Sequence, residues 1–414
     1  MSAASRALNI GVIGLGRAAT SMLPSLAAHP DVRLVAAADP RAEARDAFAR
    51  QFGGQTFVDA ADLLDHGSVD AVYIATPHQV HAQHVIMAAE RGKHAICEKP
   101  MALTLDDCDA MIDAVERAGT HLVIGPTHGF DRPVLKMHEI LRAGTLGRAR
   151  MILTFDYTNF LYRPRRPEEL DTRLGGGIIF NQTPHQVDTV RLLGGGVVRS
   201  VRSMTGIWDP LRPTEGSHMT FLEFEDGTAA TMVYSAYDRF DSDELFGWVG
   251  EGGSVKASVR PGAARRALRA AGVADESALK AATGFGGANQ KRAGGDSHDG
   301  SDRRHHPHFG HTIVSCEGGD MRTSPDGVTI YDDDGQREVS APLGPATPDK
   351  SGAIDELVLA VRDERPPLHD GRWGRATLEV CLAILESARQ RREVVLADPV
   401  RNMAMIGGGN NAQP

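Results

Sequence analysis

The sequence predicts two domains: an α/β domain built on a parallel sheet, then an α+β domain with a mainly antiparallel sheet. Three observations predict this. Short apolar, β-rich runs alternate with helical stretches over the first 130 residues. A glycine-rich turn joins the first run to the first helix. After residue 130 the texture changes to strands joined by turn residues, among them Asp226-Gly227.

A chain of 414 residues is too long for one ordinary domain of roughly 100–200 residues. Its 41% hydrophobic and 24% charged residues suit a soluble globular protein. No apolar run approaches the ~18 residues of a membrane helix, and Met1–Arg6 leaves no room for the apolar core of a signal peptide. A net charge of −9 argues against nucleic-acid or anionic-membrane surfaces. Cys97, Cys108, Cys316 and Cys381 form no CxxC pair, which excludes a zinc ribbon and fits a reducing cytoplasm.

Leu8–Gly14 reads as a buried parallel strand. Gly14-Leu15-Gly16-Arg17-Ala18-Ala19 follows as a GxGxxG/A turn opening a helix through Leu26. Gly14 makes the tight turn, Gly16 lets the backbone approach a pyrophosphate, and Ala19 permits close helix packing. The helix N-terminus, with Arg17 and Ala18, offers partial positive charge to the phosphates. The next strand, Val32–Ala38, closes on Asp39, placed to accept from both ribose hydroxyls. That favours NAD. Arg41 keeps NADP open, either pairing a 2′-phosphate or standing as a solvated helix-start residue.

The alternation continues through strands at 69–75, 94–97 and 121–125 and a helix from Leu105 to Ala118. Ligands in such sheets sit beyond the strand carboxyl ends, where Thr76-Pro77, His81, Glu98-Lys99-Pro100 and Gly125 fall. A lysine desolvated there can move a proton or polarise a hydroxyl. In the second domain, strands are expected at 148–158, 197–208, 220–225, 228–235, 312–314 and 328–331. A final helix spans 376–392. Residues 256–310 read as an insertion, a short helix pair and then a mobile polar loop, and the tail from 401 to 414 as disordered. His305, His306, His308 and His311 match no metal template, so no metal is expected. Gly175-Gly176-Gly177 allows close backbone approach, and Asn181 and His185 then share one helical face. Histidine is the natural acid/base group near neutrality.

The GxGxxA turn, Thr-Pro…His, Glu-Lys-Pro and the glycine-rich histidine motif occur in the order found in the Gfo/Idh/MocA oxidoreductases, a family this chain resembles over nearly its whole length. The resemblance implies a Rossmann domain (1–130) and an open-faced α+β domain (131–400), with hydride transfer at their cleft. It also implies a homodimer or homotetramer. By motif, Lys99 would be the catalytic lysine and His185 the catalytic histidine. Asn181 stands where the family often has Asp, so it would position substrate rather than take a proton. His78 stands where the family often has Asn.

The 159–171 segment, with Ser315-Cys316-Glu317 and Ser324–Gly327, resembles the phthalate 4,5-cis-dihydrodiol dehydrogenases more narrowly. Arg163, Arg165 and Arg166 fit this, because guanidinium forks suit carboxylates. An ordinary basic loop or a subunit contact is the alternative. The expectation is NAD(P)-dependent oxidation of a carboxylated cyclic cis-diol. A sugar or inositol dehydrogenase, or a non-catalytic cofactor-binding sensor, stands as the alternative.

Overall fold

The computed structural model describes residues 6–258, 260–272, 276–290, 304–344 and 349–396. Its first sheet contains β1 (Leu8–Ile13), β2 (Val32–Ala38), β3 (Gln55–Phe57), β4 (Ala71–Ile74), β5 (His94–Cys97) and β6 (Leu122–Ile124). All neighbours pair in parallel, in the order β3-β2-β1-β4-β5-β6. The order reverses between β1 and β4, which opens a crevice beyond their carboxyl ends. β4 is buried throughout, as a strand covered on both faces must be. The Leu105–Ala118 helix shows how local sequence sets a boundary. Thr104 accepts from the Asp107 amide at its start, Asp106 and Asp107 complement its dipole, and Gly119 ends it at φ 65°.

The second sheet adds β7 (Ala149–Tyr157), β8 (Val198–Gly206), β9 (Ser217–Phe224), β10 (Ala229–Ser235) and β11 (His311–Cys316). It continues with β12 (Gly319–Ser324), β13 (Gly327–Asp332), β14 (Gly335–Ser340) and β15 (Val394–Val395). The nine strands run β14-β13-β12-β11-β7-β10-β9-β8-β15. Only β7 and β10 pair in parallel. One face packs on helices through Ile152, Val201, Leu222, Met232 and Val314. The other face leaves Met151, Met204, Met219 and Phe221 exposed.

The chain does not divide cleanly at residue 130. The Ser351–Val361 helix, unanticipated from sequence, returns to the first domain, where Ala353, Ile354, Leu357 and Val358 join its core. The Gly371–Gln390 helix serves both cores, Leu378 in the first and Val380, Cys381 and Ile384 in the second. The expected 256–310 insertion supplies two helices, Ala263–Ala271 and Glu276–Ala282. Residues 291–303 and 397–414, including the expected tail, lie outside the described residues.

The stretch around residues 276–290 is a strap between the two domains rather than a loose loop. On one side Glu276 takes a two-pronged pair from Arg212 at 2.8 and 2.9 Å, and Lys280 pairs with Glu169. On the other, Phe285 is 2% exposed within the first-domain core and stacks on Phe52 at 6.1 Å.

Candidate active site

The glycine turn is shaped for close approach. Gly14 has φ 90°, and a Cβ there would meet the Ala75 carbonyl oxygen at 2.8 Å. A Cβ at Gly16 would find nothing nearer than 4.0 Å, so the turn's outer face is open. No side chain caps the Arg17–Ala28 helix, which leaves its first amides available to a diphosphate. Asp39 ends β2 and accepts from the Leu15 amide at 2.7 Å. Arg41 lies across it, with Nε on Asp39 Oδ1 at 3.0 Å and Nη2 on the Leu15 carbonyl at 2.7 Å. Arg41 is therefore neither simply solvated nor unengaged: it braces the carboxylate. Turn, helix end and terminal acid together fit a dinucleotide.

Further along the crevice, Thr76 Oγ1 meets His84 Nδ1 at 3.1 Å, and Pro77 is exposed. His81 has no exposed surface; its ring nitrogens face the Thr76 and Pro100 carbonyls at 2.9 and 3.0 Å. The expectation that it lines the cofactor pocket is corrected: it ties the two pocket loops together from behind. Tyr73 donates to Glu98 at 2.7 Å, and burial pushes the Glu98 carboxyl up against the pull of Lys99.

Lys99 Nζ donates to the Asn181 carbonyl at 2.6 Å, which joins a β5 loop to the glycine-rich helix. Burial lowers its pKa, while Glu98 and Glu251 hold it up in part. The Asn181 side-chain amide is spent on the Gly175 and Gly177 carbonyls. Its main chain, not its side chain, touches Lys99. One turn on, His185 lies on the wholly buried Thr183–Leu193 helix. Burial, then Lys99 and His128, push its pKa well below the ordinary imidazole value. It is a neutral base with Nδ1 unpartnered.

Sequence reasoning missed His128. Its ring stands edge-on to His185 at 4.7 Å, and both rings touch Phe309 at 4.9 Å. Nδ1 pairs with Asp131 at 2.5 Å, and Nε2 faces Glu251 at 3.8 Å. Burial opposes charging of His128, but Asp131 and then Glu251 raise its pKa overall. The available signal was position: Thr127-His128 follows β6 at the ligand-bearing end, with Asp131 three residues on. Glu251, also missed, sits in Gly250-Glu251-Gly252-Gly253, which signals a tight loop and no more.

The three arginines diverge. Arg165 is buried over the Phe160 ring at 3.7 Å and donates to the Phe160 carbonyl. Its main chain meets Glu276, and burial lowers its pKa to about 9. Arg166 pairs with Glu168 at 3.1 Å and Glu169 at 3.5 Å. Arg165 nonetheless lies within the field of Lys99. Arg163 turns toward Glu251, with Nε on Asn159 at 3.0 Å and Nη2 at 3.6 Å from the Glu251 carboxylate. Arg17, exposed at the helix start, feels both Arg163 and Glu251. Of the four histidines, His311 opens β11 and all four have hydrogen-bond partners. His305, His306 and His308 are buried, and His305 pairs with Asp326 at 2.8 Å. His306, His308 and His311 face carbonyls at 2.8–3.1 Å.

This architecture defines an NAD-binding oxidoreductase with its candidate site between two domains. An oxidoreductase family with an NAD-binding Rossmann fold matches residues 8–125, and the GFO/IDH/MocA C-terminal domain matches 134–256. A 1-carboxy-3-chloro-3,4-dihydroxycyclohexa-1,5-diene dehydrogenase of Comamonas testosteroni is 39% identical over 92% of this chain and 95% of its own. A myo-inositol 2-dehydrogenase of Thermotoga maritima is 33% identical over 47% of this chain and 57% of its own. The crystal structure of a dehydrogenase described as putative, from Bordetella bronchiseptica, superposes with TM-score 0.88. It is 46% identical and covers 94% of this chain and all of that one. The chain belongs to the Gfo/Idh/MocA oxidoreductase family. Among the described residues no helix is long and apolar enough to cross a membrane.

Proposed function

We propose that this enzyme oxidises a carboxylated cyclic cis-dihydrodiol of the phthalate 4,5-cis-dihydrodiol type to the corresponding catechol, here 4,5-dihydroxyphthalate. One observation carries the reading: the His128–Asp131 pair packs against His185, and Arg163 lies next to it across Glu251, in a protein of net negative charge. A site for a neutral polyol has no need of cations at that place. The chlorinated carboxydiene diol named for the Comamonas relative is of the same chemical class.

Bound NAD supplies the hydride acceptor. Lys99 Nζ, lowered in pKa by burial, takes the hydroxyl proton as hydride leaves the same carbinol carbon. Neutral His185 accepts from the neighbouring ring hydroxyl and so orients the diol. The product is a ring hydroxy-ketone. Shift of its remaining ring proton to oxygen gives the catechol, and aromatisation draws the reaction forward. Phe309, which packs on both histidines, walls the ring side of the site.

The test is to incubate the enzyme with NAD and 4,5-cis-dihydrodiol phthalate and identify the products by NMR. One reduced cofactor per catechol supports the proposal. No catechol, with reduced cofactor formed from myo-inositol instead, overturns it.

A further inference from the structure

Glu251 is an acidic side chain set between two of the basic groups described above, Arg163 and His128. Its carboxylate stands 3.6 Å from Arg163 Nη2 and 3.8 Å from His128 Nε2. Both separations exceed a hydrogen bond, so neither cation is saturated by it. Arg163 spends Nε on Asn159, and His128 spends Nδ1 on Asp131. The donors that face Glu251 are those left over. Arg17 and Lys99 also lie within its field.

The loop backbone is fixed. The Glu251 carbonyl accepts from the His308 amide at 3.2 Å, and Gly253 N–H closes on the Gly250 carbonyl at 2.8 Å. A Cβ at Gly253 would lie 2.4 Å from the His305 carbonyl, so that backbone stays where it is. The side chain, by contrast, is 46% exposed. A pinned backbone and a half-exposed carboxylate let the side chain leave by rotation alone. Burial opposes the charge of Glu251, yet His128 and Arg163 hold its carboxyl well below the ordinary range; both contacts still exceed hydrogen-bond length, so an anion that closes them competes for the place.

Given a carboxylated substrate as proposed above, we infer that Glu251 is a built-in occupant of the substrate's carboxylate subsite. It stands between Arg163 and His128 where a ring carboxylate binds, and turns out to solvent when that carboxylate enters. Glu251 thereby keeps the cations oriented while the site is empty. It also selects against small neutral polyols, which cannot displace it. The subsite serves carboxylates attached to a ring, because Phe309 and the two histidine rings wall the space beside it.

The test is binding, not turnover. Phthalate, benzoate and uncharged catechol are titrated into the NAD-loaded enzyme and its Glu251→Gln and Arg163→Gln variants, with calorimetry as readout. Thermal melting verifies each fold. Glu251→Gln should bind phthalate several-fold more tightly and catechol unchanged, since the resident carboxylate no longer competes. Arg163→Gln should bind phthalate at least about tenfold more weakly. Unchanged or weakened phthalate binding by Glu251→Gln overturns the assignment. If wild type oxidises no carboxylated diol while Glu251→Gln still tightens phthalate, the substrate proposal fails and the subsite stands.

Discussion

Replacing Lys99 by alanine removes the group on which the proposed chemistry turns. Its Nζ donates 2.6 Å to the Asn181 carbonyl, the direct link between the two halves of the site. A positioned general base contributes about 10²–10⁴ in rate, or about 3–5 kcal/mol of barrier at 1.36 kcal/mol per decade. The His185 ring remains in place, packed on His128 and Phe309, so the variant still binds the ring. The cofactor turn and Asp39 are built on other strands and are untouched. The assay is absorbance of reduced cofactor at saturating diol, with NAD affinity read separately by fluorescence titration. Turnover should fall at least about a hundredfold, with NAD binding within about threefold of wild type. Turnover within tenfold of wild type would refute the role of Lys99. A parallel loss of NAD binding would reassign it to the cofactor.

Other consequences follow from the same geometry. Lys99 must be neutral to accept a proton, so kcat/KM should rise with pH. Because burial lowers its pKa, the rise should level off below the ordinary lysine value of about 10.4. The Glu251→Gln change removes a carboxylate that supports the charged form, so it should move that inflection lower still. Phe285→Ala should destabilise the first domain by about 3 kcal/mol, seen as lost hydrogen-exchange protection in the Ala42–Phe52 helix. Unaltered protection would mean that the strap is not anchored there. We propose that the exposed sheet face carrying Met151, Met204, Met219 and Phe221 pairs subunits. The double change Met219→Lys, Phe221→Lys should convert a dimer or tetramer to monomer by light scattering. A monomeric wild type would reject that pairing.

How much of this was legible in the sequence depended on range. The parallel sheet was readable because β1, β2, β4 and β5 are short apolar runs punctuated by glycine and acid. Leu105–Ala118 carried its own cap and stop. β12 and β14 lack alternation, reading GDMRTS and GQREVS, and owe their pairing to β13 between them. Lys99 and His185 could be named because each sits in a local motif. The arginines could not be sorted, because what separates them lies far away in the chain. Glu276, some 111 residues on, holds the Arg165 main chain, while Glu251 faces Arg163. Glu251 itself is a lone acid in a glycine loop, and its meaning comes from His128 and Arg163, brought together only by folding.

The most direct measurement is kcat/KM with NAD for three substrates on one preparation: the carboxylated cis-dihydrodiol, the same diol without carboxylate, and myo-inositol. At about 1.5–3 kcal/mol for a charged hydrogen bond, the carboxylated diol should exceed both others by about 10–150-fold. Equal values for the two diols, or a preference for inositol, would contradict the account.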